Sequence, residues 1–375
     1  MRKIKICFLI PSHWSGGKGG AELQANYILK YLEATGRFDV HYICRHYEKG
    51  LSPDSVHVLP KGLLSNYCHF NDRKQIFKYL EEIEPDFIYQ RVRTSYIGIA
   101  AQYCSKKTAK LIFHVAHTNN VQPEKTQWGK NFVFDYIENS FKKMGLKHAD
   151  YIVCQTEDQA KMLKRHFFRD CDLVMPNVSP DVGCKSDLNK SDVIKVLWVA
   201  NIKPSKAPSD YIDIAESFSE YPNIEFHMVG KVNSEYGKKI EARAQLQDRM
   251  VFHGELEVEK VNELLAESSF FINTSGAEGF PNTFIQSWLN ETPVLSLHVD
   301  PDSLLTKHEL GMFCNGDIEV LKKTLQLWVD DKNIIEDMKS RCRDFASDYF
   351  SINNIQGIVN IIDESLASDA ASNAD

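Results

Sequence analysis

At 375 residues, with 43% hydrophobic and 25% charged side chains, the chain has room for two ordinary domains and the composition of a globular protein. No apolar run approaches the roughly 18 residues needed to span a bilayer. Met1-Arg2-Lys3 leads into a short strand and a polar loop with no small-residue cleavage site, so a cytoplasmic protein is expected. The net charge of -7 hides an asymmetry: residues 1–190 carry 28 Lys+Arg against 20 Asp+Glu, and residues 191–375 carry 16 against 31. A basic first half suits an anionic partner such as a membrane surface or a lipid phosphate. A nucleic-acid partner is not expected.

In chain order, apolar strand-like runs at 5–10, 40–44, 87–91, 110–117, 151–156 and 173–177 alternate with amphipathic segments at 21–34, 72–83, 95–106 and 157–167. This β-α-β rhythm predicts a parallel sheet covered by helices. The polar, breaker-rich stretch 179–192 reads as a linker. The rhythm then restarts with strands at 193–201, 224–230, 250–256, 270–275 and 293–297, separated by helices at 207–219, 235–247, 257–267 and 282–290. Residues 318–366 read as helices, and the small polar end 367–375 as a frayed tail. The predicted domains are therefore 1–190, 191–345, and a C-terminal helix in 346–375 that packs back on the first domain. Nine cysteines, an odd number without a C-x-x-C, argue against a zinc site or a disulfide framework.

Two loops invite chemistry. "GGKGGAE" (16–22) follows the first strand and opens a helix. An ATPase phosphate loop needs Gly-Lys-Ser/Thr, and Ala21-Glu22-Leu23-Gln24 stands where the second one would fall. A G-x-G-x-x-G fingerprint fails as well, because its third glycine would be Glu22. What is left is a glycine turn that lets backbone approach a ligand at a helix N-terminus. "NTSGAEGFPNTFIQSW" (273–288) is sharper. A strand ends, Glu278 enters a Gly-Phe-Pro turn, and a helix starts near Asn282 with Pro281 presetting its first turn. Backbone N–H groups at Gly279, Phe280 and Thr283 are placed to meet an anion. A carboxylate beside an anion site fits a ligand that also carries hydroxyls, such as a sugar on a diphosphate. Asp300-Pro301-Asp302 imitates a metal-binding D-x-D but reads as a turn.

The Gly19-Gly20-Ala21-Glu22 turn, "VLWVANIKPSKAPSDYIDIAESF", "IEFHMVG", "VFHGEL" and the Glu278-Gly279-Phe280-Pro281 block together resemble glycosyltransferase family 4, the retaining group 1 glycosyltransferases. The resemblance implies a GT-B fold: α/β, two Rossmann-like parallel-sheet domains facing across a cleft. It implies that Glu278 binds hydroxyls of the transferred sugar. Gly279, Phe280, Pro281, Asn282 and Thr283 would hold the sugar and distal phosphate, and Lys206 would neutralise the leaving diphosphate. Gly19 and Gly20 would pass close to the donor, and His117 would contact the reacting sugar, with His114 ranked behind it. Two positions depart from the family pattern. Gln286 stands where a ribose-binding glutamate is usual, and Asn201 where an arginine is, with Lys203 able to supply the missing cation.

No cofactor is implied beyond the nucleoside-diphosphate sugar substrate, with UDP or GDP as carrier, and no catalytic metal. The implied acceptor is lipid-linked or an oligosaccharide, in capsule, lipopolysaccharide or exopolysaccharide synthesis, with the basic first domain in peripheral contact with the inner membrane. The competing readings are a nucleotide-sugar epimerase or phosphorylase on the same plan, and a donor-binding scaffold without turnover.

Overall fold

The computed structural model describes residues 2–17, 19–60, 68–124, 132–181, 193–331 and 333–372. Lys18, Cys184 and nearly all of the expected linker lie outside them. The chain forms two compact units, Met1–Val178 with Ile352–Asp375, and Ser179–Ser351.

The first unit runs β1 (Ile4–Leu9), α1 (Gly20–Ala34), β2 (Phe38–Cys44), β3 (Val56–Val58), α2 (Arg73–Ile83), β4 (Phe87–Arg91), α3 (Tyr96–Cys104), β5 (Lys110–His114), α4 (Phe132–His148), β6 (Tyr151–Cys154), α5 (Glu157–Phe167) and β7 (Leu173–Val174). Its seven strands are all parallel, in the order β3-β2-β1-β4-β5-β6-β7. The central strands are apolar and buried on both faces, as a helix-covered parallel sheet requires.

The second unit runs β8 (Ile194–Val199), α6 (Pro208–Glu216), β9 (Ile224–Val229), α7 (Glu235–Gln245), β10 (Met250–Gly254), α8 (Val258–Glu267), β11 (Phe270–Asn273), α9 (Asn282–Leu289), β12 (Val294–Ser296), α10 (Leu304–Lys307), β13 (Gly311–Phe313), α11 (Ile318–Asp330) and α12 (Asn333–Tyr349). Its sheet is β10-β9-β8-β11-β12-β13, again parallel throughout. The chain winds outward from β8 to β10, then crosses back to lay β11 on the other side of β8. The loops after β8 and β11 therefore meet at the switch point, where open parallel sheets place ligands. In the first unit the corresponding pair is β1 and β4.

Two boundaries differ from the sequence reading. The second unit does not end at 345: α12 continues to Tyr349, and Ala346 and Phe350 pack with Trp288 in its core. The chain enters the first unit at Ile352, where α13 (Gln356–Ser372) lays Ile358, Val359 and Ile362 against Phe8, Met175 and Val178. Nor does the chain fray from 367. Helix α13 runs to Ser372, because Ala367, Ala370 and Ala371 favour helix, and Asp369 lies 3.6 Å from Lys110.

Candidate functional site

In the second unit the loop after β8 is pinned by packing before any charge is considered. Ile202 is buried, and Gly230 lets the β9 end approach so closely that a Cβ there would lie 2.0 Å from the Ala200 carbonyl oxygen. The loop closes as a short 3-10 turn, Pro204–Lys206, and Ala207 takes a left-handed conformation at φ 43° before Pro208 starts α6. Thr274, just beyond β11, ties this turn down. Its hydroxyl accepts from the indole N–H of Trp198 at 3.0 Å and reaches the carbonyls of Lys206 and Ala207 at 2.8 and 2.9 Å. The Gly276 N–H donates to the Ser205 carbonyl at 3.3 Å. The two switch-point loops are thus sewn together through backbone.

That sewing places Lys206 Nζ in direct contact with Glu278 Oε1. The two side chains are only 19% and 13% exposed. Behind Glu278, Gly279 is buried, and the Phe280 ring packs on Phe350 with centroids 5.1 Å apart. The Phe280 side chain therefore serves the core, and only its backbone can serve a ligand. Pro281 sits at the N-cap of α9 rather than in its first turn, with φ −67° and ψ 118°, and its own side chain makes no cap hydrogen bond. Asn282 and Thr283, both half-buried, open α9. One turn on, Gln286 donates its amide to Asn262 Oδ1 on α8 at 3.1 Å. Asn201 and Lys203 are exposed on the β8 loop, and Lys203 makes no ion pair among the described residues. Asp300 is occupied elsewhere: its carboxylate accepts from the Leu305 N–H at 2.8 Å and from the Thr306 hydroxyl at 2.7 Å, which caps α10. Among the described residues no group of three or more His, Cys, Asp or Glu is arranged to hold a metal.

In the first unit the glycine loop holds its own anion. Glu22 turns back over the N-terminus of α1, so that a Cβ on Gly19 would lie 2.3 Å from Glu22 Oε2. Burial pushes the Glu22 carboxyl up, against the pull of its own backbone N–H and of the Arg91 guanidinium. Gly16 is required for closeness, since a Cβ there would meet the His46 carbonyl carbon at 2.5 Å. Gly19 and Gly20 form the N-cap and first residue of α1.

His117 follows β5. Its Nδ1 accepts from the Asn119 N–H at 3.0 Å, which leaves the proton of a neutral ring on Nε2. Asn120 Oδ1 takes the N–H groups of Ala116 and His117 at 3.1 and 3.0 Å. These bonds pull the chain off the sheet, so the strand expected to run to 117 ends at His114. His114 is no ligand: it is wholly buried, with Nδ1 2.8 Å from Arg91 and 2.8 Å from the Tyr89 hydroxyl. Burial and the Arg91 charge hold its pKa well below the ordinary value.

Sequence reasoning missed Thr274, Trp198 and Arg91. The signal for Arg91 was an arginine closing the apolar strand "FIYQR"; Thr274 and Trp198 left none.

Comparison with known proteins is decisive at this point. Residues 18–176 match the family model described as Glycosyltransferase Family 4, and residues 194–331 match that described as Glycosyl transferases group 1. The chain belongs to the group 1, family 4 glycosyltransferases. No curated protein sequence matches this glycosyltransferase. Among solved structures, it resembles HepE of Anabaena in complex with UDP and glucose at 18% identity and TM-score 0.73, over 97% of this chain and 100% of that one. Sucrose-phosphate synthase from Thermosynechococcus elongatus superimposes at 14% identity and TM-score 0.78, over 98% and 100%. WaaG, a glycosyltransferase involved in lipopolysaccharide biosynthesis, does so at 14% and 0.76, over 95% and 99%. At these identities the likeness is one of fold, and the fold of this glycosyltransferase is GT-B.

Proposed function

We propose that this glycosyltransferase moves a hexose from a nucleoside diphosphate, UDP or GDP, to a lipid-linked or oligosaccharide acceptor, with retention at the anomeric carbon. The observation that carries the reading is the Lys206–Glu278 pair at the switch point of the second unit, on the loop that leads into the N-terminus of α9. A cation and a helix N-terminus suit a diphosphate, and a carboxylate suits sugar hydroxyls. HepE in complex with UDP and glucose supports the same pairing of ligands.

In the step proposed, the acceptor hydroxyl oxygen bonds to the anomeric carbon as the bond from that carbon to the β-phosphate oxygen breaks. The acceptor's proton passes to the departing diphosphate. Lys206 and the α9 N-terminus take up the charge that develops on the diphosphate, so the reading requires no catalytic metal. The excess of Lys and Arg in residues 1–190, together with the part WaaG plays in lipopolysaccharide biosynthesis, supports an acceptor in cell-surface glycan synthesis and peripheral contact with the inner membrane.

Titration calorimetry with UDP, GDP and ADP tests the donor site: one diphosphate should bind saturably and Lys206→Ala should weaken it. Product analysis tests the reaction. A new glycoside that keeps the donor's anomeric configuration supports the reading, whereas a new nucleotide sugar formed without acceptor indicates an epimerase. Asn201 and Gln286 favour one second reading, a donor-binding scaffold. Nucleotide-sugar binding without turnover across lipid-linked and free glycan acceptors would establish it.

A further inference from the structure

In the unliganded chain Lys206 and Glu278 are already each other's partner. The contact is not a chance meeting of long surface side chains. Both are largely buried, and the Lys206 backbone is held from below by Thr274 while the Gly276 N–H fixes the start of the Glu278 loop to Ser205. An ion pair this poorly solvated is harder to separate than an exposed one, because neither group regains full hydration while the loops stay closed. A phosphate that approaches Lys206 meets a carboxylate in the same place, and two anions sharing one cation repel.

We propose that Glu278 sets the site's selectivity for a sugar-bearing diphosphate by covering Lys206. A bare nucleoside diphosphate has no group to offer the carboxylate and must bind against it. A nucleotide sugar offers hydroxyl donors that satisfy Glu278 and draw it off the ammonium, which frees Lys206 for the phosphate. After transfer the hydroxyls leave with the product, the carboxylate returns to Lys206, and the diphosphate is displaced. Glu278 thus weakens product binding as well as recognising the substrate. This inference rests on the pair being the donor site.

The test is calorimetric titration of the full chain with UDP, GDP and inorganic pyrophosphate, and with the corresponding nucleotide sugars. It is run on the native chain, Glu278→Gln, Lys206→Ala and the double variant at one ionic strength. Glu278→Gln should bind the bare diphosphate about tenfold more tightly while binding the nucleotide sugar more weakly, so that the ratio of the two affinities reverses. In the Lys206→Ala background the same substitution should change diphosphate affinity by less than about twofold, because the effect acts through Lys206. Glu278→Ala, which leaves no amide to interact, should share the gain. Unchanged or weaker diphosphate binding by Glu278→Gln and Glu278→Ala, with Lys206→Ala still weakening it, overturns the covering role and leaves the donor site standing. A gain of equal size in the Lys206→Ala background overturns it too, since Glu278 would then be repelling phosphate directly. Failure of every variant to bind any diphosphate or nucleotide sugar overturns both this inference and the donor-site reading.

Discussion

The hydroxyl of Thr274 and the carbonyl of Lys206 are 2.8 Å apart, and this bond fixes Lys206 by its backbone rather than its side chain. Thr274→Val keeps the shape but removes both the donor to that carbonyl and the acceptor for the Trp198 indole N–H. Buried polar groups left unsatisfied cost about 1–3 kcal/mol. The variant should lose stability of that order and bind nucleotide sugar about tenfold more weakly. Thr274→Ser should restore both. Urea unfolding and donor KM for the three chains check the claim.

Glycines of the second unit differ in what they permit. Gly230→Ala forces a Cβ to within 2.0 Å of the Ala200 carbonyl oxygen, with Ile202 Cδ1 at 2.9 Å, so backbone must shift at the root of the Lys206 loop. A loss of about 1–3 kcal/mol is expected. A Cβ on Gly276 meets nothing within 4 Å, and Gly276→Ala should stay within about 0.5 kcal/mol of the native chain. Thermal melting of the two variants side by side separates close approach from loop position as the cause.

His114 makes stability pH-dependent. Its pKa in the folded chain lies well below the ordinary value of about 6.5, because burial and Arg91 oppose the charged form. The unfolded chain therefore takes up a proton at this site as pH falls below about 6.5 while the folded chain does not. Stability is fully present above that pH and is lost below it, by about 1.4 kcal/mol per pH unit for one proton. Burial also lowers His13, His57, His69, His227 and His253, so the native slope is a sum over several groups. His114→Gln should reduce it by about one proton's worth. Urea unfolding between pH 7 and pH 5 reads the difference; an unchanged slope would mean that His114 titrates alike in both states.

Most of the sheet was legible because buried parallel strands are continuous apolar runs, as in "IKVLWV" and "IEFHMV". The elements missed lack that signature. β3 and β13 are edge strands of three residues with no fully buried side chain, so neither stands out as an apolar run, and α4 was not assigned. The strand expected to reach residue 117 was cut short by a side chain, since Asn120 takes backbone donors the sheet would have used. The site divides in the same way. Glu278 was legible from its Gly-Phe-Pro neighbours, and the start of α9 from Pro281. That Lys206 touches Glu278 was not, because the contact depends on Trp198, Thr274 and Gly276 joining two loops about 70 residues apart in sequence. The sequence offered the Phe280 backbone N–H to a ligand but gave no sign of where its ring goes, since the packing beside Phe350 is tertiary.

Gln286 allows a test of whether its departure from the family pattern weakens this glycosyltransferase. One N–H of its amide donates to Asn262 at 3.1 Å, and its Oε1 is a neutral acceptor. Gln286→Glu exchanges that amide for a second carboxylate oxygen. Asn262 can turn its own amide to donate, so the contact between α8 and α9 survives and stability should change by less than about 0.5 kcal/mol. Hydrogen bonds to a carboxylate are roughly twice as strong as neutral ones. If Gln286 meets a donor hydroxyl, Gln286→Glu should tighten nucleotide-sugar binding by about three- to tenfold and leave inorganic pyrophosphate unaffected. Equal tightening of both ligands would place the effect elsewhere than at a hydroxyl. No change in either would mean that residue 286 serves only to join α8 to α9.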